Sequence, residues 1–255
     1  MGRREVRARR LPNGSAVHIL SVRVDDVTPD EAVTRCEAFV RDGTPHQVVT
    51  VNPEFVVAAR GDAQFAAVLA RADLAVPDGA GLLLAARWLG RPLRGRVTGV
   101  DLAARLAAMA AERGYRLFLL GAAPGVAERA AAVYTAANPG LVMAGTYAGS
   151  PAPGEEADIV ARVRAASPHI LLVAYGAPAQ DKWIARNLEN LGVPVAMGVG
   201  GVLDYVAGTV PYAPAWLRRI GLVWLYRLVR QPWRLRRVWN AVVVFPWLVA
   251  SRGRD

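Results

Sequence analysis

The feature that most restricts this chain is a repeated change of period. From about residue 17 to residue 200, short β-branched runs alternate with stretches rich in Ala, Leu, Arg and Glu. The runs are His18–Val24, Gln47–Val51, Asp73–Val76, Tyr115–Leu120, Leu141–Met143, His169–Tyr175 and Val193–Val199. Between them lie helical windows such as Asp101–Arg113, Pro124–Ala137, Glu155–Ala166 and Gln180–Leu191. Continuous apolar runs suit strands covered on both faces, and helix-length spacers suit crossover connections. The pattern therefore predicts an α/β domain with a mainly parallel, doubly wound sheet. Its first helix is punctuated by Thr28-Pro29-Asp30-Glu31: a capping hydroxyl, a proline where no amide is needed, and an acid at the third helical position.

Charge divides the chain further. Residues 1–10 hold five Arg and one Glu, residues 216–255 hold nine Arg and one Asp, and so the +10 total leaves about −2 for everything between. The last 40 residues also carry five of the seven Trp: Trp216, Trp224, Trp233, Trp239 and Trp247. Three parts follow: a basic extension (1–16), an α/β body (17–211) and a Trp/Arg-rich helical appendage (212–255). Trp with Arg on short helices suits an anionic membrane surface, where rings settle at headgroup depth and guanidinium groups meet phosphates. A helical cap with a solvated Arg face is the plain structural alternative for the tail, and nucleic-acid binding, which uses the same two residue types, is a further rival. Leu235, Val238, Trp239 and Val242 fall at helical spacing, and the sequence predicts that their helix starts near Pro232 and stops before Pro246. A lone Cys36 and three scattered His exclude a disulfide scaffold and a zinc module. No apolar run is long enough to span a bilayer and no signal peptide is evident, so a cytoplasmic location is expected.

In parallel sheets ligands bind beyond the carboxyl ends of the strands. Several of those ends are unusual here: Thr50-Val51-Asn52-Pro53, Pro77-Asp78-Gly79, Gly121-Ala122-Ala123-Pro124-Gly125, Gly176-Ala177-Pro178-Ala179-Gln180-Asp181, and Gly198-Val199-Gly200-Gly201 followed by Asp204. Each alone reads as turn chemistry, and none completes a dinucleotide fingerprint or a P-loop. Together with Arg96 in Gly95-Arg96-Val97-Thr98-Gly99, however, they offer a carboxylate, an amide, a hydroxyl and a guanidinium at neighbouring ends. Such a set can deprotonate a hydroxyl and balance phosphate charge, which is a transferase inventory.

Thr50-x-Asn52, Pro77-Asp78-Gly79, Gly95–Gly99, Gly176-x-Pro178-x-Gln180, Asp204 to Gly208, Ala213-Pro214-x-Trp216 and Trp224-x-Tyr226-Arg227-x5-Trp233-Arg234-x2-Arg237, taken in order, resemble the WecG/TagA/CpsF family, glycosyltransferase family 26. The resemblance implies a Rossmann-like fold of the GT-E type. It also implies inverting transfer of a sugar, N-acetylmannosamine or a related hexosamine or uronic acid, from a UDP-sugar. The acceptor would be a polyprenyl-diphosphate-linked sugar such as GlcNAc-diphosphoundecaprenol, for a teichoic-acid-like or exopolysaccharide polymer. Carried over residue by residue, Asp78 would be the general base, and Thr50, Asn52, Arg96 and Gln180 would line the sugar and acceptor pocket. Asp204, with Gly200 and Gly201, would lie toward the nucleoside, and Arg227, Arg234 and Arg237 would serve the diphosphate or the membrane. No metal or other cofactor is implied.

The departures are Ala179 and Asp181 where the pattern has Lys and Glu, Tyr212 for Arg, and Val223 and Gln231 for Glu; four of these five changes remove a charge. The expected partners are thus a UDP-sugar, a polyprenyl-linked acceptor and the inner face of the plasma membrane, with no nucleic acid and with a homo-oligomer left open. The contrasting class, a non-catalytic anionic-lipid or nucleic-acid binding protein, accounts for the tail but leaves the strand-end cluster without a task.

Overall fold

The structure is a computed structural model describing residues 16–214, 216–217 and 223–252. The basic stretch 1–15 lies outside the described residues. Six strands form one sheet: β3 (His46–Val51), β4 (Leu74–Pro77), β5 (Arg116–Gly121), β6 (Val142–Tyr147), β7 (Ile170–Ala174) and β8 (Val195–Gly198). Their order is β4-β3-β8-β7-β5-β6, and every pairing is parallel.

The first apolar run departs from expectation. It forms a separate antiparallel hairpin, β1 (Ala16–Ile19) and β2 (Val22–Asp25), and takes no place in the main sheet. The cause is local: Leu20 and Ser21 both adopt positive φ, 48° and 73°, so two residues reverse the chain. A turn of this kind without Gly or Asn escapes composition-based reading. The fifth run is also longer than its apolar letters, extending through Gly145 to Tyr147 because β5 pairs along its length.

Helices cover both faces. On one side lie α1 (Pro29–Asp42), α5 (Gly99–Arg113), α6 (Val126–Ala137) and α9 (Val202–Val206), packed on Val48, Val76, Leu117, Leu119, Leu172 and Met197. On the other lie α2 (Pro53–Gly61), α3 (Ala63–Arg71) and α4 (Ala80–Trp88), against Val49, Val51 and Ala75. That side is completed by α7 (Glu156–Ala166) and α8 (Ala179–Leu191), against Phe118, Leu120, Leu171 and Val173. Neighbouring strand residues thus serve opposite faces, as the strand period of two requires. The caps are local: Thr28 and Glu31 form the expected capping box, Asn52 Oδ1 accepts the Phe55 amide, and Asp62 Oδ1 accepts the Phe65 amide.

One connection matters for the site. Helix α4 lies on one face and α5 on the other, while β4 between them is an edge strand, so residues 89–98 must wrap that edge. On the way, the Val97 amide donates to the Pro77 carbonyl (2.8 Å), which places Arg96 beside the carboxyl end of β4.

The tail holds α10 (Val223–Arg230), a 3-10 turn at Pro232–Arg234, α11 (Leu235–Trp239), a π turn at Asn240–Val244 and α12 (Phe245–Arg252). Contrary to the sequence reading, the chain stays helical through Pro246. In the preceding π turn carbonyls pair five residues on, which relieves the clash a proline makes in regular α geometry. Pro246 then stands in the first turn of a new segment, where its missing amide costs nothing. Phe245 is 1% exposed and joins Val249 in the cluster with Phe55, Phe65 and Leu82, so the last helix is part of the core. Trp239 (56% exposed) and Trp247 (62%) face outward.

Gly121 closes β5 with φ at 100°, and a Cβ there would lie 2.8 Å from the Ala174 carbonyl carbon. That neighbour is backbone of the adjacent strand and cannot give way. Gly121→Ala should therefore destabilise the fold by about 2–4 kcal/mol, read as a drop in the denaturation midpoint at an unchanged slope.

Candidate functional site

Because all six strands run the same way, every carboxyl end opens on one edge. The polar residues singled out in the sequence occupy four consecutive places along it: Asp78 after β4, Thr50 and Asn52 at β3, Gly200, Gly201 and Asp204 after β8, and Gln180 after β7. Three interstrand spacings span roughly 14 Å, the scale of a sugar joined to a diphosphate.

Asp78 is held from two directions. Its amide donates to the Val51 carbonyl (2.7 Å), and its Oδ2 accepts the Gly99 amide (3.2 Å) at the start of α5. Asp78 thus stands at the start of a helix, where backbone amides point toward it. Gly99 is also where the chain comes close to Thr50, since a Cβ at Gly99 would lie 3.6 Å from Thr50 Cγ2. Thr50, Asp78 and the Arg96 loop therefore meet at one corner. Arg96 is half-buried and makes no hydrogen bond or ion pair among the described residues. A half-buried guanidinium without a partner has lost hydration without recovering it, and so it suits an anion.

The glutamine is held just inside the rim. Gln180 is 2% exposed, and its Oε1 accepts the amides of Gly176 (3.1 Å) and Gly200 (2.8 Å). It ties the loops after β7 and β8 together. Gly198 makes room for it, because a Cβ there would fall 2.6 Å from Gln180 Nε2. Asp204 sits in α9 and accepts the Thr209 amide (3.0 Å) through its carbonyl, closing the turn after the helix. Arg234 Nε donates to Gln231 Oε1, and Arg237 Nε pairs with Glu54 Oε1 on α2. Arg227 lies on α10, and its side chain is outside the described residues.

The profile of the glycosyl transferase WecG/TagA/CpsF family matches residues 17–255, body and tail together. The chain belongs to this family. It is 32% identical over 192 residues to the N-acetylglucosaminyldiphosphoundecaprenol N-acetyl-beta-D-mannosaminyltransferase of Bacillus subtilis, covering 75% of this chain and 74% of that one. It is 28% identical over 244 residues to the enzyme of the same name from Staphylococcus aureus, covering 95% of each. The carboxyl edge of this chain gathers a carboxylate, a hydroxyl, an amide and a guanidinium at neighbouring strand ends.

Two residues at or near the edge escaped the sequence reading. Glu54 is one; no motif marks it, because its partner Arg237 is 183 residues away. Asp181 is the other, noted only as a departure from the family pattern. It is fully buried, neither carboxylate oxygen has a full hydrogen bond among the described residues, and a Cβ at Gly198 would lie 2.7 Å from its Oδ1. Burial pushes its carboxyl up to about 7, opposed only in part by its own backbone amide and the Gln180 side chain. A third titratable cluster, His46 with Asp42 and Asp73, looks catalytic in composition but lies at the amino end of β3. Burial there would lower the imidazole, yet the two carboxylates outweigh it and hold its pKa above the ordinary value.

The sign for Asp181 follows from linkage. Its folded pKa is above its unfolded one, so its contribution is fully present below pH ~4 and is lost as pH rises through about 7. Asp181→Asn removes that loss. The variant should melt close to the parent at pH 4–5 and at least ~2 °C above it at pH 8, with the gap opening between; a gap independent of pH would show that the carboxyl does not titrate there.

Proposed function

We propose that the protein is an inverting transferase that moves N-acetylmannosamine, or a related hexosamine or uronic acid, from UDP to a polyprenyl-diphosphate-linked N-acetylglucosamine, for a surface polysaccharide of the teichoic-acid type. The names of the relatives support the transferred sugar and the acceptor. The observation that carries the reading is the corner where Asp78, held at the start of α5, shares the end of β4 with the loop of Arg96, a side chain without a partner among the described residues.

In this reading the acceptor hydroxyl lies against Asp78. Asp78 takes the proton as the hydroxyl oxygen attacks the anomeric carbon, and the bond from that carbon to the diphosphate breaks on the opposite face. UDP departs with the bonding electron pair. Arg96 and the tail arginines offset charge on the two diphosphates, one leaving and one anchoring the acceptor. Asn52 keeps its Oδ1 on the Phe55 amide, which leaves its Nδ2 to donate to a sugar oxygen. No step calls for a metal or another cofactor.

The acceptor is a lipid, and no helix among the described residues is long and apolar enough to cross a membrane. We place the protein peripherally on the cytoplasmic leaflet, with the outward face of the tail, Leu235, Trp239, Val243 and Trp247, against the headgroups.

Asp78→Asn should preserve the melting temperature and UDP affinity while lowering turnover on a short-chain prenyl-diphosphate N-acetylglucosamine by ~10²-fold or more; turnover near the parent's would remove Asp78 from the chemistry. For the membrane, point changes are better than deletion, because Phe245 and Val249 belong to the core. The double variant Trp239→Ser, Trp247→Ser should fold normally yet bind anionic vesicles at least ~10-fold more weakly. Equal co-sedimentation with vesicles would place the contact elsewhere.

A further inference from the structure

The tail is seated on the body by two unlike means. Its far end is apolar: Phe245 and Val249 are buried beneath α2 and α4. The segment before it, Leu235–Trp239, has no buried residue, and it reaches the body through a charged contact, Arg237 Nε on Glu54 Oε1. Glu54 is in the first turn of α2, two residues after Asn52, whose side chain caps that helix at the rim of the carboxyl edge. Glu54 thus stands next to the strand end that carries Thr50 and Asn52, and it brings a tail guanidinium to that rim.

The geometry of the pair has a chemical consequence. Arginine donates from Nε and from two Nη groups in a rigid fork, so a carboxylate on Nε fixes the plane of the guanidinium. The Nη groups of Arg237 have no partner among the described residues. The pair is partly open to solvent, its two side chains 42% and 27% exposed, so it adds little to stability; what it does fix is direction.

We propose that Glu54 is a positioning residue for transfer: it holds Arg237 by Nε at the rim beside Asn52, so that the two Nη groups face the diphosphate of the lipid-linked acceptor. This rests on the reading of the carboxyl edge as the transfer site. Glu54 itself touches neither substrate nor reacting atoms. Its carboxylate near a diphosphate would be repulsive if Arg237 left it, so Glu54 and Arg237 act as a unit.

The test is a double-mutant cycle in the full-length protein with Glu54→Ala, Arg237→Ala and both together, and with Glu54→Asp as the conservative variant. Turnover is read on a short-chain prenyl-diphosphate N-acetylglucosamine with a UDP-sugar, and hydrogen exchange of residues 235–244 is followed in parallel. Each single alanine should raise the acceptor KM at least ~10-fold and leave the UDP-sugar KM within about twofold, the mark of one lost interaction at one substrate. The double variant should be no worse than Arg237→Ala alone, and Glu54→Asp should recover most of the loss. Exchange in 235–244 should rise equally in both single variants, with an unchanged melting temperature. Additive losses, equal effects on the two KM values, or unchanged exchange in Glu54→Ala would each overturn the proposal. If the parent protein transfers no sugar, the transfer reading fails by itself, and the exchange arm still decides whether Glu54 seats the tail.

Discussion

Everything at the carboxyl edge depends on the parallel pairing of six strands. In an antiparallel sheet alternate strands would present opposite ends, and Asp78, Asn52, Gly200 and Gln180 could not share a rim. Parallel register is enforced by the crossovers, each of which returns the chain across a face before the next strand begins, and by strands apolar on both sides. The edge strand β4 would leave backbone groups open, and the wrapping connection covers part of it, with the Val97 amide on the Pro77 carbonyl bringing the Arg96 loop to the carboxyl end of β4.

The electrostatics of the rim come in two layers. Nearer the surface lie Asp78, which accepts the Gly99 amide, and Arg96, which has no partner among the described residues. Beneath them lie groups that hold the loops. Gln180 accepts two glycine amides from the loops after β7 and β8, and Asp181 next to it is buried with no cation paired to it among the described residues. Both fit only because β8 ends in Gly198, whose missing side chain is the space they occupy. Rim geometry therefore rests on a glycine, an amide and a high-pKa carboxyl in direct contact.

The tail links this rim to the outer surface. Its inner side is core, its middle is tied by Arg237 to Glu54, and its outer side carries exposed tryptophans. The middle of the tail is thereby joined to α2, the helix that Asn52 caps.

The sequence alone determined the class of fold, the helix caps and the polar residues at the strand ends, because these follow from period, turn chemistry and spacing within a few residues. Thr28 with Glu31, and Asn52, are legible because their partners are close in the chain, and Asp78 is legible from the proline and glycine that flank it, although its partners Val51 and Gly99 are distant. It also carried the family resemblance, through motifs in a fixed order. What it left open was decided by contacts between distant segments. Strand order set which ends are neighbours, and backbone at Leu20 and Ser21 turned the first run into a hairpin. A π turn carried the last helix through Pro246, burial removed Gln180 from the surface, and Glu54 found a partner 183 residues away. Local pattern fixes which residue types are available at each strand end. Only closure of the chain on itself, through side chains competing for one volume, fixes which of them face one another.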